Sequence, residues 1–190
     1  MSKGRLEAFS DGVIAILITI MVLDLKPSHG GDLAALRPVL PLFLTYVLSY
    51  VFLGIYWNNH HHLLQAATRV DGKILWANLH LLFWLSLVPF VTGWSGENHF
   101  ASIPTAGYGI VLLMAAVAFT ILERAILKLH GPGSKVHAAL AVGHKERISM
   151  AAYVAAVPLS LVDSRIAWGI FILVAIVWIV PDKRIERTYQ

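Results

Sequence analysis

The stretch "RLEAFSDGVIAILITIMVLDLKP", residues 5–27, decides the class of this protein. Residues 13–23 are apolar except for Thr19, a run of only eleven residues. A helix needs about 20 residues to cross the hydrocarbon core of a bilayer. If this segment spans, Arg5, Glu7, Ser10 and Asp11 are drawn to or below the membrane surface. An ionisable group at that depth is costly and needs a partner.

The rest of the chain agrees with a spanning reading. Of its 190 residues, 57% are hydrophobic and 14% charged, with a mean hydropathy of +0.69. This composition reads as an all-α, polytopic membrane protein, because a backbone in lipid must satisfy its own hydrogen bonds. One domain, residues 1–190, is expected, with no separate soluble part. The absence of cysteine excludes disulfides, thiolate metal sites and thiol catalysis. The N-terminus does not read as a cleaved signal, since Glu7 and Asp11 interrupt its apolar region and no small-residue cleavage site follows.

Six apolar segments are readable: 6–25, 36–61, 74–94, 103–122, 148–162 and 166–180. Pro38 and Pro41 fall in the opening turns of the second, where proline is tolerated, and Pro89 falls late in the third. Only Asp163, Ser164 and Arg165 part the last two, which predicts a tight helical hairpin. Of the 15 Lys and Arg, all but Lys26, Arg37 and Arg165 fall on one side of this layout. Cytoplasmic loops carry the excess of cations, so both termini are expected in the cytoplasm. The sequence pI of about 9.5 is therefore a topology signal rather than a sign of nucleic-acid binding.

A helical advance of about 100° per residue sorts the first segment into faces. Phe9, Gly12, Ile16, Thr19, Ile20 and Leu23 share one face. Asp11, Ile14, Ile18, Val22 and Leu25 lie opposite, and Ser10 falls between. If the first face meets a pore or a symmetry axis, Asp11 points back into its own subunit. Arg5 is on another face, so the partners of Asp11 are expected from other helices. The second segment ends with Trp57, His60, His61 and Leu64 as one stripe, and the third opens with Asn78 and His80. A network joining Asp11, Ser10, a histidine, Trp57 and Asn78 satisfies the carboxylate structurally. A proton relay or a gate sensor built from the same groups is the alternative.

The triplet "HHH" does not read as a metal site, because adjacent helical residues diverge and cannot converge on one ion. Its histidines are pH-responsive groups by their reference pKa. Two readings stand for Thr19: a hydroxyl bonded to the carbonyl one turn back, or one of a ring of hydroxyls facing ions. Likewise, the Ile16, Ile20 and Leu23 stripe is either ordinary packing or a pore wall. Asp24, beside it, either concentrates cations or is a solvated helix-end charge.

"RLEAFSDG", residues 5–12, resembles the R-x-x-x-F-S-D signature of the transmembrane-protein-175 family of potassium channels. "YWNNHHHL" is similar to that family's second-helix pattern, through Trp57, Asn59, His60 and His61. "LWANLHLLFWLSLVPF" resembles its third helix, with Asn78 and Pro89 in place. The resemblance implies six helices per subunit, a homotetramer, and a central pore lined by the first helices. It implies conduction of potassium over sodium without a carbonyl filter, and no T-V-G-Y-G run occurs here. It places the constriction at Ile16, with Leu23 further out and permeant potassium near Thr19 between them; Ile20 shares their face. Around the signature it implies a polar network, and the expected set is Arg5, Phe9, Ser10, Asp11, Trp57, His60, His61 and Asn78. Departures from the pattern are Asn58 and His62. Rings of apolar side chains can close such a pore by dewetting. No cofactor and no structural metal are implied. The partners are further copies of the chain, lipid and monovalent cations, in a bacterial inner membrane. A proton channel or proton-coupled transporter using Asp11 and His61 is the alternative function. No constellation of serine, histidine and acid supports an enzyme.

Overall fold

A computed structural model describes residues 2–26, 31–131, 134, 136 and 144–179, and these are helical apart from short connections. Helix α1 (Lys3–Ile20) runs into a 3-10 stretch, Met21–Asp24. A second 3-10 stretch, Leu33–Val39, leads into α2 (Leu40–Ala66). Asp32 caps that entrance, its side chain accepting from the Ala35 N–H at 3.1 Å. Then come α3 (Gly72–Ser86), capped by Asp71 accepting from the Ile74 N–H at 2.9 Å, and α4 (Val88–Glu97). Finally α5 (Ser102–His130), α6 (His144–Val162) and α7 (Ser164–Ile179) complete the described chain.

The expected third segment is thus two helices that part at Leu87. Pro89 explains the break: it has no N–H to donate and its ring clashes with the carbonyl four residues back. The second and fourth segments extend beyond their sequence-read ends, to Ala66 and His130. Among the described residues four stretches are long and apolar enough to cross a membrane: Lys3–Asp24, Leu33–Ala66, Gly72–Glu97 and Ser102–His130. The expected hairpin is present, with α6 and α7 packed together and the Arg165 N–H donating to Asp163 Oδ1 at 2.9 Å. Position 180 and the cations Lys135, Lys183, Arg184 and Arg187, which entered the topology argument, lie outside the described residues.

Helix α5 is the centre, packed on α3, α4, α6 and α7. Its Ala115 and Ala118 are fully buried, and such small residues let neighbouring helices approach in the absence of a hydrophobic drive. At the α2–α4 crossing the backbones approach closely: a Cβ added to Gly96 would meet the Leu42 Cα at 2.5 Å. Helix α1 stands at one side of the bundle, against α2, α3 and α4.

Candidate functional site: the first helix and its polar anchor

Helix α1 buries Leu6, Ser10, Ile14 and Leu17, and its 3-10 extension buries Met21, residues that recur every three or four positions. On the other side its apolar ridge is uncovered. Ile16 is 56% exposed and Leu23 74%, and Phe9, Gly12, Thr19 and Ile20 are exposed beside them. The uncovered face is that of the helical wheel, but of the set read opposite to it only Ile14 is buried, with Asp11, Ile18 and Leu25 half-buried. Ser10, read as lying between the faces, is fully buried. Val22, read on the packed face, is exposed. The packed direction is centred on Ser10, Leu17 and Met21, to one side of the expected one, which leaves Val22 as open as Ala15 seven residues before it.

Thr19 makes the bond of the first reading, to the carbonyls one turn back. Its Oγ1 donates back to the helix, 3.1 Å from the Ala15 carbonyl and 3.0 Å from that of Ile16, while the residue itself stays exposed. The single hydrogen is used internally and the oxygen lone pairs remain available. At the far end, Asp24 lies beside α4: a Cβ added to Gly93 would meet its Oδ2 at 3.7 Å.

The expected polar network separates into two arms. In the buried arm Asn78 Nδ2 donates to Ser10 Oγ at 2.9 Å, and Ser10 Oγ donates to the Leu6 carbonyl at 2.9 Å. His60 Nε2 lies 2.7 Å from Asn78 Oδ1, and because an amide oxygen only accepts, the histidine donates. Ser10, Asn78 and His60 are each at most 1% exposed, and they tie α1, α3 and α2 together. In the second arm Trp57 Nε1 donates to Asp11 Oδ1 at 3.0 Å, and the Trp57 ring stacks on His61 with centroids 6.1 Å apart. Asp11 is half-buried, and Trp57 and His61 are exposed.

Two members of the expected set join neither arm. Phe9 lies on the uncovered ridge. Among the described residues the Arg5 guanidinium makes no hydrogen bond or ion pair. His80, grouped with Asn78 by sequence, instead accepts from Trp84 Nε1 at 3.0 Å. The ion pair at this end is Lys3 with Glu7 at 3.6 Å, and Lys3 Nζ also donates to the Gln65 carbonyl at 3.1 Å. The i,i+4 spacing of Lys3 and Glu7 was the signal that could have found the pair. Among the described residues no three potential metal ligands cluster.

A further anchor has no sequence signature. Ser49 Oγ lies 2.6 Å from Thr92 Oγ1 and 2.9 Å from Tyr108 OH, and Thr92 Oγ1 is 2.6 Å from the Val88 carbonyl. Each hydroxyl has one hydrogen. The carbonyl takes that of Thr92, so Ser49 donates to Thr92 and Tyr108 donates to Ser49. This chain fastens α2, α4 and α5 beside Met21, whose sulfur is 3.9 Å from Thr92 Oγ1. It thereby braces the 3-10 extension of α1.

Residues 5–89, which carry both arms, match the family described as "Endosomal/lysosomal potassium channel TMEM175". A potassium channel of Chryseobacterium sp. (strain P1-3) is 55% identical over 190 residues, covering 100% of this chain and 99% of that protein. The chain belongs to the TMEM175 family. The crystal structure of a lysosomal potassium-selective channel TMEM175 homolog from Chamaesiphon minutus superposes with a TM-score of 0.81. It is 28% identical, over 94% of this chain and 96% of that one. The endosomal/lysosomal proton channel TMEM175 of Gallus gallus is 31% identical over 83% of this chain, which spans 34% of that longer protein. A TMEM175-family chain is an ion channel and not an enzyme, and this one is a membrane protein of cation-channel type. The polar arms that define its first helix lie wholly within the matched residues.

Proposed function

We propose that this chain forms a potassium-selective channel in a bacterial inner membrane, four copies surrounding one pore lined by α1. The observation that carries the reading is the uncovered ridge of Ile16, Thr19, Ile20 and Leu23 on a helix whose opposite face is locked to its own bundle. Six crossings with both termini in the cytoplasm follow if α6 and α7 also span. Rings of Ile16, Ile20 and Leu23 then narrow the conduit, and between them the Thr19 oxygens offer lone pairs to a partly dehydrated ion. A narrow apolar pore empties of water and stops conduction, and it conducts when the rings spread and wet. The two polar arms set the rotation of α1, so the ridge rather than the acid faces the axis. The names of the bacterial relatives support potassium as the permeant ion.

Proton conduction is the second reading, through Asp11 and His61. It is favoured by the exposed Trp57–His61 stack that ends on the Asp11 carboxylate, and by the proton-channel name of the animal relatives. Reconstitution into liposomes separates the two. Potassium flux exceeding sodium flux is the expected result, with Asp11→Asn lowering the yield of assembled protein. Flux no greater than that of empty liposomes overturns the channel, and a pH-driven flux abolished by Asp11→Asn in a properly assembled protein favours protons. Because the chain has no cysteine, Leu23→Cys tests the axis directly. Mild oxidation is expected to yield crosslinked dimers, with Ile103→Cys on α5 as the uncrosslinked control. Equal crosslinking of both removes α1 from the axis.

A further inference from the structure

Away from α1, an open groove of about 410 Å³ runs between α2 and α7. Its walls are two apolar ridges, Leu44, Val47 and Val51 on one side and Ile172, Ile176 and Ile179 on the other. These residues recur at helical spacing, so the valley between them is continuous. Ala175, at its edge, is too small to fill it. At one end the groove is headed by Arg165, Trp168 and Phe100. The two rings meet edge to face with centroids 5.1 Å apart, and Trp168 Nε1 donates to Thr105 Oγ1 at 3.0 Å. Phe100 reaches this position with a φ of +61°, in the left-handed region that a bulky side chain normally avoids.

The chemistry of the groove is that of one lipid. From Arg165 to Ile179 the α7 axis rises about 21 Å, against about 15 Å for the hydrocarbon of one leaflet. Aromatic rings at its head match the interfacial level where such rings settle in membranes. Arg165 is exposed and forms no ion pair among the described residues, so its guanidinium donors are taken by no described carboxylate. A guanidinium at the head of an apolar slot is complementary to a phosphate carrying an acyl chain. We propose that the α2–α7 groove holds one acyl chain of a resident anionic phospholipid whose phosphate is bound by Arg165. Such a lipid wedges α7 against α2, the helix that also carries Trp57 and His60. It thereby stiffens the platform on which α1 is anchored.

The test is native mass spectrometry of the purified, delipidated protein titrated with dioleoyl phosphatidylglycerol, a readout independent of ion flux. The wild-type chain is expected to retain a lipid adduct. Arg165→Gln should bind about fivefold more weakly, the share one cation contributes to an anionic lipid surface. Arg165→Lys should recover part of that loss, and Ile176→Trp, which fills the slot, should lower adduct formation with the arginine intact. Arg37→Gln, at the same end but outside the groove, should bind as wild type. Size-exclusion profiles matching wild type establish that the variants are assembled. Adduct levels equal in wild type, Arg165→Gln and Ile176→Trp overturn the proposal. So does an oxidative crosslink of Ile176→Cys to a second copy, which would make the groove a subunit contact.

Discussion

Asn78→Leu attacks the buried arm at its centre. The side chain is fully buried, donates to Ser10 Oγ at 2.9 Å and accepts from His60 Nε2 at 2.7 Å. Leucine keeps the approximate volume and removes both bonds. Ser10 retains its bond to the Leu6 carbonyl, so it is not stranded. His60, only 1% exposed, loses the sole acceptor of its Nε2 proton. Interhelical hydrogen bonds in membranes average about 0.6 kcal/mol each, and a buried donor left unpaired costs about 1–3 kcal/mol. The expected loss is therefore about 2–4 kcal/mol, most of it from the stranded histidine. Titration with SDS in mixed micelles, followed by tryptophan fluorescence, measures it. The double variant His60→Leu/Asn78→Leu separates the two contributions, because removing the histidine removes the orphan. It should lose less than the sum of the two single variants, by about 1–3 kcal/mol. Strictly additive losses, or wild-type stability in Asn78→Leu, refute the reasoning.

Ile16→Asn replaces an exposed apolar side chain of the proposed constriction with a polar one that stays wet, so potassium flux should rise and selectivity over sodium fall in liposomes. Unchanged flux and selectivity exclude Ile16 from the constriction. Gly96→Ala drives a Cβ to 2.5 Å from the Leu42 Cα, and because backbone cannot swing aside it should destabilise the protein by about 1–3 kcal/mol. Gly54→Ala on α2, where nothing lies within 4 Å, should be neutral or stabilising in the same denaturation assay.

Much of α1 is legible in the order of its residues. Its two faces follow from a local rule, the fixed rotation per residue, and that rule needs no knowledge of neighbours. The rule does not say which direction opposite the ridge is packed: burial centres on Ser10, Leu17 and Met21, and Val22 is left exposed. The family signature likewise names most of the anchor, since Ser10, Asp11, Trp57 and Asn78 sit in short local motifs. Which histidine serves Asn78 is beyond the motif. His60 and His61 are about 100° apart on α2, so the crossing of α2 over α3 selects one for burial and leaves the other at the surface.

By itself, then, the sequence determined that the chain is helical, membrane-embedded and a member of a channel family, because these depend on hydropathy, period and contiguous motif. Tertiary structure alone decided that the anchor is two arms rather than one network, and that Tyr108, Ser49 and Thr92 form a directed hydroxyl chain. It also decided that the α1 ridge is left uncovered by its own bundle. Each is a relation between residues far apart in the chain, and its energy depends on distances of about 3 Å that helix packing sets and residue order does not.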